Sequence, residues 1–121
     1  MQLAESGEMY LEAIYVLSRN GKPVRSIDVA EYLNLSKPSV SRAIGVLREG
    51  GYVVYDENKY LILTDSGYST SEKIYERHTI LTKLLIHLGV AEELATEDAC
   101  KLEHAISDTS LAAIKRFLES K

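Results

Sequence analysis

The chain has 121 residues, of which 45% are hydrophobic and 26% charged, so its composition is that of an ordinary globular protein. Its one cysteine excludes an intrachain disulfide and fits a reducing compartment. No apolar run approaches the ~20 residues of a membrane span and no export leader begins the chain, so we expect a cytoplasmic protein without a membrane partner. The net charge of −4 argues against a protein that coats nucleic acid by bulk charge, but it does not exclude a local basic face.

The beginning of the chain predicts three short helices. Apolar residues recur at helical spacing over residues 8–19. A second helix is expected to begin with Ser26 as its cap and to end at the turn Asn34-Leu35, and Ser36 is expected to cap a third helix that ends near Glu49. Two short helices joined by a tight turn after an opening helix form a helix-turn-helix pattern.

The outer side of the third helix is polar and basic. Residues 35–48 contain three basic side chains and no acidic one. Short hydroxyls and arginine together make a surface that contacts phosphates and base edges. The residues of this helix that we expect to bind DNA are Ser36, Lys37, Pro38, Ser39, Ser41, Arg42 and Arg48. The alternative is a helical hairpin with a solvated face, but the sign of the charge and the serine-rich first turn favour DNA.

A two-stranded wing is predicted after the third helix. Residues 52–55 and 60–63 are β-branched, aromatic or aliphatic, and the polar turn between them makes a hairpin. Lys59 at the tip is placed to contact a phosphate. The acidic residues Asp56 and Glu57 argue that the wing is not a strong contributor.

The remainder of the chain reads as helix. A long helix is expected to run from a cap at 64–66 to about Leu88, another is expected to begin with Thr96 as its cap, and a last helix covers 110–120. These helices carry more apolar positions than they can bury among themselves, which indicates a partner, most simply a second copy of the chain.

The run Cys100-Lys101-Leu102-Glu103-His104 contains three side chains that can bind a metal. A thiol, a carboxylate and an imidazole stand at positions i, i+3 and i+4, which share one face of a helix. This mixture suits a borderline divalent transition metal better than calcium or magnesium. The alternative is that Cys100 is a small buried hydrophobe and that Glu103 and His104 are neighbours by chance.

Five stretches of the sequence together resemble the family of the diphtheria toxin repressor and the manganese transport regulator. They are residues 8–15, 35–41, 63–67, Arg77-His78 and 98–108. The resemblance covers nearly the whole chain. It implies a winged-helix domain, a helical dimerisation domain and metal sites formed with ligands from both.

The resemblance also implies the metal ligands. The residues that match the activating-metal ligands of the iron-type members are Met9, Cys100, Glu103 and His104. Glu12 and His78 match second-site ligands of the manganese-type members, which share the acidic ligand at Glu103. From spacing alone, Met9 would be core filler and Glu12 a solvated helix residue.

The chain also departs from both groups of the family. Thr82 and Thr96 stand where the iron-type members have the Glu and His of an ancillary site. Met9 and Cys100 stand where the manganese-type members have carboxylates. Softer ligands of this kind favour iron(II), cobalt(II), nickel(II) or zinc(II) over manganese(II), and availability in the cell would select iron(II) among them.

These observations predict a mainly α protein with a winged helix-turn-helix DNA-binding domain over residues 1–63 and a helical metal-binding and dimerisation domain over residues 64–121. The implied function is a homodimeric transcription regulator, a repressor of metal-homeostasis genes, which binds a double-stranded DNA operator when activated by Fe(II) or Mn(II). The alternative is a metal-independent winged-helix regulator that senses a small organic ligand. No motif such as H-E-x-x-H is present, so we do not expect an enzyme.

Overall fold

The computed structural model describes residues 5–121, which contain six helices and one two-stranded sheet. The elements in chain order are α1 (Glu5–Ser18), α2 (Ser26–Leu33), α3 (Lys37–Glu49), β1 (Val53–Tyr55), β2 (Leu61–Leu63), α4 (Asp65–His87), α5 (Glu92–Leu102) and α6 (Asp108–Glu119). The predicted mainly α fold with a two-stranded wing is confirmed. Within the described residues, no helix has both the length and the apolar content that crossing a bilayer requires.

The chain divides into two compact units, and the division falls between residues 72 and 73, within α4. In the first unit, the apolar faces of α1, α2 and α3 meet, and Asn34 makes the tight turn between α2 and α3 with a left-handed φ of 56°. The residues buried where these helices meet are Leu11, Ile14, Val29, Val40, Ile44 and Leu47. The expected division into residues 1–63 and 64–121 stays a prediction.

Local capping explains where α2 and α3 begin. Ser36 Oγ accepts a hydrogen bond at 3.3 Å from the backbone N–H three residues later, so the predicted cap of α3 is confirmed. The predicted cap of α2 is wrong, because Arg25 occupies the cap position and its N–H donates to the Asp28 carboxylate at 2.8 Å. The Ser26 hydroxyl is instead 3.2 Å from a tyrosine hydroxyl of β1, and this contact joins the start of α2 to the wing.

The wing is a short antiparallel hairpin in which Val54 lies opposite Ile62. Each strand has three residues and begins one residue later than the sequence predicts. In the turn, the Asp56 carboxylate accepts hydrogen bonds from two backbone N–H groups at 2.8 and 2.9 Å, and Lys59 adopts a left-handed φ of 65°. Asp56 therefore shapes the turn, and the exposed Lys59 side chain lies at its surface.

The start of α4 approaches the wing closely enough to require glycine. Thr64 caps the helix, because its Oγ1 accepts a hydrogen bond from the Gly67 N–H at 3.0 Å and lies 2.6 Å from the Gly51 carbonyl oxygen. A Cβ at Gly67 would overlap the carbonyl oxygen of Tyr52. Any larger side chain at this position would push the helix away from Tyr52, the residue before β1.

The second unit packs the remainder of α4 against α5 and α6. Its buried core consists of Ile80, Leu81, Ala99 and Leu111, with Ile106, Ile114 and Leu118 packed against it. Ser107 caps α6 by accepting a hydrogen bond from the Ser110 N–H at 3.1 Å.

The beginning and the end of α5 differ from the prediction. The predicted cap at Thr96 is wrong: the helix begins at Glu92, and the Thr96 hydroxyl donates back to the Glu92 carbonyl at 2.9 Å. The buried Ala95 and Ala99, four residues apart, keep the earlier turn helical by facing the core. The expectation that residues 100–104 lie on one helix is also wrong, since α5 ends at Leu102 and His104 lies in the turn beyond.

Candidate metal centre

The carboxylate of Glu103 is buried without hydrogen bonds. Its side chain is 0% exposed, and neither of its oxygens has a hydrogen-bond partner among the residues that the structure describes. A buried charge is strongly unfavourable unless a counter-charge or a metal compensates it. Because Glu103 is the C-cap residue of α5, with helical φ and ψ of −59° and −28°, its side chain continues the face on which Cys100 lies.

Two imidazoles flank this carboxylate on different oxygens. His78 Nδ1 lies 3.3 Å from Glu103 Oε2, and His104 Nε2 lies 3.3 Å from Oε1. His78 Nδ1 is itself buried without a hydrogen bond to any described residue. The two histidines come from α4 and from the turn after α5, so the carboxylate lies between side chains supplied by separate elements.

A thiol completes the cluster. One ligand atom each from His78, Cys100 and Glu103 lie within 4.8 Å of one another. Metal–ligand bonds of about 2.0–2.3 Å place two ligands of the same ion no more than about 4.6 Å apart, so small side-chain rotations bring these atoms within reach of one ion. We propose that these three residues, together with His104 on the other oxygen of Glu103, form a metal site, and we call the four residues the metal centre. Its nitrogen, oxygen and sulfur donors fit a divalent transition metal.

The structure also decides the alternative for Cys100, because its side chain is exposed and is therefore not a core hydrophobe. Met9 and Glu12 lie three residues apart on α1, in the other unit, and each is half-buried. Their role as ligands stays a prediction.

The predicted DNA-contacting residues of α3 lie on its outer side. Ser39 is half-buried, and the exposed ones are Ser36, Lys37, Pro38, Ser41, Arg42 and Arg48. The Ser36 hydroxyl donates to Ser39 Oγ at 2.9 Å, and Arg42 Nη2 lies 3.5 Å from the same oxygen. Two hydroxyls and a guanidinium therefore form one connected polar row at the start of the helix.

A basic residue that sequence analysis missed, Arg25 at the N-cap of α2, contacts the wing. The Arg25 guanidinium lies 4.7 Å from the centre of the Tyr60 ring and donates to the Tyr60 hydroxyl at 3.2 Å. The Arg48 guanidinium lies 4.8 Å from the centre of the Tyr55 ring. With Lys59, these arginines place three cations around the wing. The sequence places Arg25 just before a helix, which could have drawn attention to it. Its contact with a residue 35 positions away is not visible in the sequence.

Comparison with known proteins identifies the family of this chain. Residues 2–61 match the family described as "Iron dependent repressor, N-terminal DNA binding domain", and residues 64–120 match "Iron dependent repressor, metal binding and dimerisation domain". The chain belongs to the iron-dependent repressor family. The resemblance deduced from the sequence motifs is thus confirmed. The family consists of transcriptional regulators and not of enzymes.

Relatives within the iron-dependent repressor family match along most of the chain. An uncharacterised HTH-type transcriptional regulator of Methanocaldococcus jannaschii is 38% identical over 119 residues, which are 97% of this chain and 95% of that protein. The HTH-type transcriptional regulator MntR of Lysinibacillus sphaericus is 34% identical over 114 residues, which are 94% of this chain and 82% of that protein.

Two solved structures of the family share the fold. The metal-dependent transcriptional regulator MtsR is 32% identical with a TM-score of 0.86, and the match covers 93% of this chain and 53% of that chain. A manganese-dependent transcriptional repressor in complex with manganese is 30% identical with a TM-score of 0.86, over 93% of this chain and 52% of that chain. This chain therefore spans about half the length of these solved chains.

Proposed function

We propose that this protein is a cytoplasmic, homodimeric repressor that binds its DNA operator when Fe(II) or Mn(II) occupies the metal centre. The observation that supports the proposal is the Glu103 carboxylate, which is buried, lacks hydrogen bonds to the described residues and is flanked by two imidazoles and a thiol. A cation bound beside this carboxylate would compensate the cost of burying its charge. The metal-binding domain of the family matches the residues that contain this cluster.

A bound metal would supply a positive charge that compensates the buried carboxylate, and bonds to side chains from separate elements. Glu103 and His104 would bind the metal from the end of α5, and His78 would bind it from α4. Met9 and Glu12, carried by the helix that packs on α2 and α3, are proposed to complete the shell. Ligands on both units would fix the angle between them.

That angle sets the spacing of the two α3 helices in the proposed dimer. Half-sites on an operator lie about one helical turn apart, ~34 Å, so one spacing of the recognition helices fits DNA better than others. If the DNA-competent state binds metal more tightly, metal shifts the population towards it. By linkage, DNA must then tighten metal binding by the same factor.

The DNA-reading surface is proposed to be the outer side of α3 together with the wing. The connected row of Ser36, Ser39 and Arg42 would meet base edges in the major groove. Arg25, Arg48 and Lys59 around the wing would neutralise phosphates. This local basic surface explains how a chain with a net charge of −4 can bind DNA.

The homodimer is supported by exposed apolar side chains in the second unit. Large hydrophobic residues left at its surface are Ile86, Leu88, Leu94, Leu102 and Phe117. Clusters of such residues commonly form protein interfaces. Sedimentation equilibrium of the metal-free protein should give twice the chain mass of 13.5 kDa, and a monomer at high micromolar concentration would contradict the proposed dimer.

The decisive experiment is DNA binding measured anaerobically, first with a chelator and then with iron(II), manganese(II) and zinc(II). We expect weak binding with the chelator and tight, sequence-selective binding with at least one metal. Equal binding under all conditions would reject metal activation. It would favour the alternative regulator that responds to a small organic ligand.

A further inference from the structure

Arg77, the residue before His78 on α4, reaches the turn that carries the other ligands. Its Nη1 donates to the carbonyl oxygens of Glu103 at 3.1 Å and Ile106 at 3.0 Å. Its Nη2 donates to the Asp108 carboxylate at the start of α6. One guanidinium therefore connects α4 to the whole segment between α5 and α6.

The guanidinium of Arg77 lies where its positive charge and its several donors both find acceptors. The Arg77 side chain is only 20% exposed, and its cation lies at the C-terminal end of α5, where the helix dipole leaves partial negative charge. Only the planar fork of arginine presents several donors in fixed directions to separate oxygens. Asp108 is 91% exposed, so its ion pair with Arg77 contributes little to stability. The hydrogen bonds to the two carbonyl oxygens therefore define where the guanidinium lies.

We propose that Arg77 is a positioning residue of the metal centre. It fixes the backbone of Glu103 at a set distance from α4, and thereby holds the Glu103 carboxylate 3.3 Å from His78 and keeps His104 on the opposite oxygen. Arg77 itself does not bind the metal. The inference deepens the proposed function and rests on it, because it assumes that these four residues bind a metal.

The neighbouring residue provides a matched control. Glu76 also pairs across to α6, with Lys115 at 3.5 Å, but both side chains are about half exposed and neither is an acceptor of the Arg77 hydrogen bonds. Glu76→Gln therefore changes charge and an inter-helix contact on the same helix without changing the support of the metal centre.

The test uses the full chain and cobalt(II), whose absorption bands report the number and geometry of ligands, including thiolate. Arg77→Ala, Arg77→Lys, Glu76→Gln and the parent protein are titrated at a temperature where circular dichroism shows each metal-free protein to be folded. Loss of a residue that orients metal ligands typically weakens affinity about 10–100-fold, and we expect this for Arg77→Ala together with altered cobalt bands at saturation. Arg77→Lys, which keeps the charge but not the fork, should recover only part of the affinity.

Glu76→Gln should bind cobalt(II) like the parent protein. If Arg77→Ala and Arg77→Lys also bind with parental affinity and parental spectra, and differ only in melting temperature, Arg77 stabilises the fold alone and the inference is wrong. If Arg77→Ala does not fold, the same comparison is made with Arg77→Lys. If the parent protein does not bind cobalt(II), the proposed metal centre fails and this inference fails with it.

Discussion

Replacing Glu103 with glutamine should change stability in opposite directions with and without metal. The substitution keeps the shape of the side chain and removes its charge. In the metal-free protein, the buried carboxylate has no hydrogen-bond partner among the described residues, so hydrogen bonds do not compensate its burial. An ion buried in this way costs several kcal/mol after relaxation, and an unsatisfied amide costs about 1–3 kcal/mol. The two nearby imidazoles offset part of this difference, so Glu103→Gln should raise the metal-free stability by about 1–2 kcal/mol.

With metal, the order of the two proteins should reverse. A ligand at 100 times its dissociation constant stabilises the folded protein by about 2.7 kcal/mol, and Glu103→Gln should lose most of this gain. Urea unfolding followed by circular dichroism measures the free energy of unfolding of the parent and of the variant, each in chelator and in excess manganese(II). If the variant is less stable than the parent in chelator and still gains the full stabilisation from metal, the carboxylate is not the centre of the site and the reasoning is refuted.

Three further changes test separate parts of the molecule. Arg42→Ala should weaken operator binding by about 1–3 kcal/mol without changing metal affinity in the absence of DNA, whereas equal losses on unrelated DNA sequences would make Arg42 a phosphate contact. Gly67→Ala should lower the free energy of unfolding by about 1–3 kcal/mol, because the new Cβ overlaps a backbone carbonyl. Gly45→Ala, where a Cβ meets nothing within 4 Å, is its control and should not destabilise the protein. Met9→Asp combined with Cys100→Glu should harden the proposed ligand set and raise the DNA-binding response to manganese(II) relative to iron(II), and a parent protein that already responds to manganese(II) at the lower free concentration would contradict this selectivity argument.

Local signals in the sequence predicted those elements whose causes are themselves local. The cap at Ser36 and the two strands of the wing depend on residues close to one another in the chain. The start of α5 could not be located in this way, because Ala95 carries no distinctive signal and its helical conformation follows from burial against other helices. The prediction that Ser26 caps α2 was wrong for a similar reason, since the Ser26 hydroxyl contacts a strand residue 29 positions away.

The metal centre shows the same division. The spacing of Cys100, Glu103 and His104 predicts one shared face. The structure places ligand atoms of Cys100 and Glu103 within 4.8 Å of each other and His104 Nε2 3.3 Å from the Glu103 carboxylate, and Glu103 keeps helical dihedral angles although the helix ends at Leu102. The addition of His78 required the family resemblance, since nothing in the spacing links residues 25 positions apart. The support from Arg77 was invisible, because two of its acceptors are backbone carbonyls, which every residue has.

The contacts of Arg25 with Tyr60 and of Arg48 with Tyr55 have a consequence for the entropy of binding. A long side chain that is ordered only on association loses about 0.5–1.5 kcal/mol of conformational freedom. Here the aromatic rings, at 4.7 and 4.8 Å, already restrict both guanidinium groups in the free protein. In the proposed complex, much of that ordering would have been completed during folding. The two tyrosines would thus strengthen phosphate binding, by lowering its entropic cost, even without touching the nucleic acid.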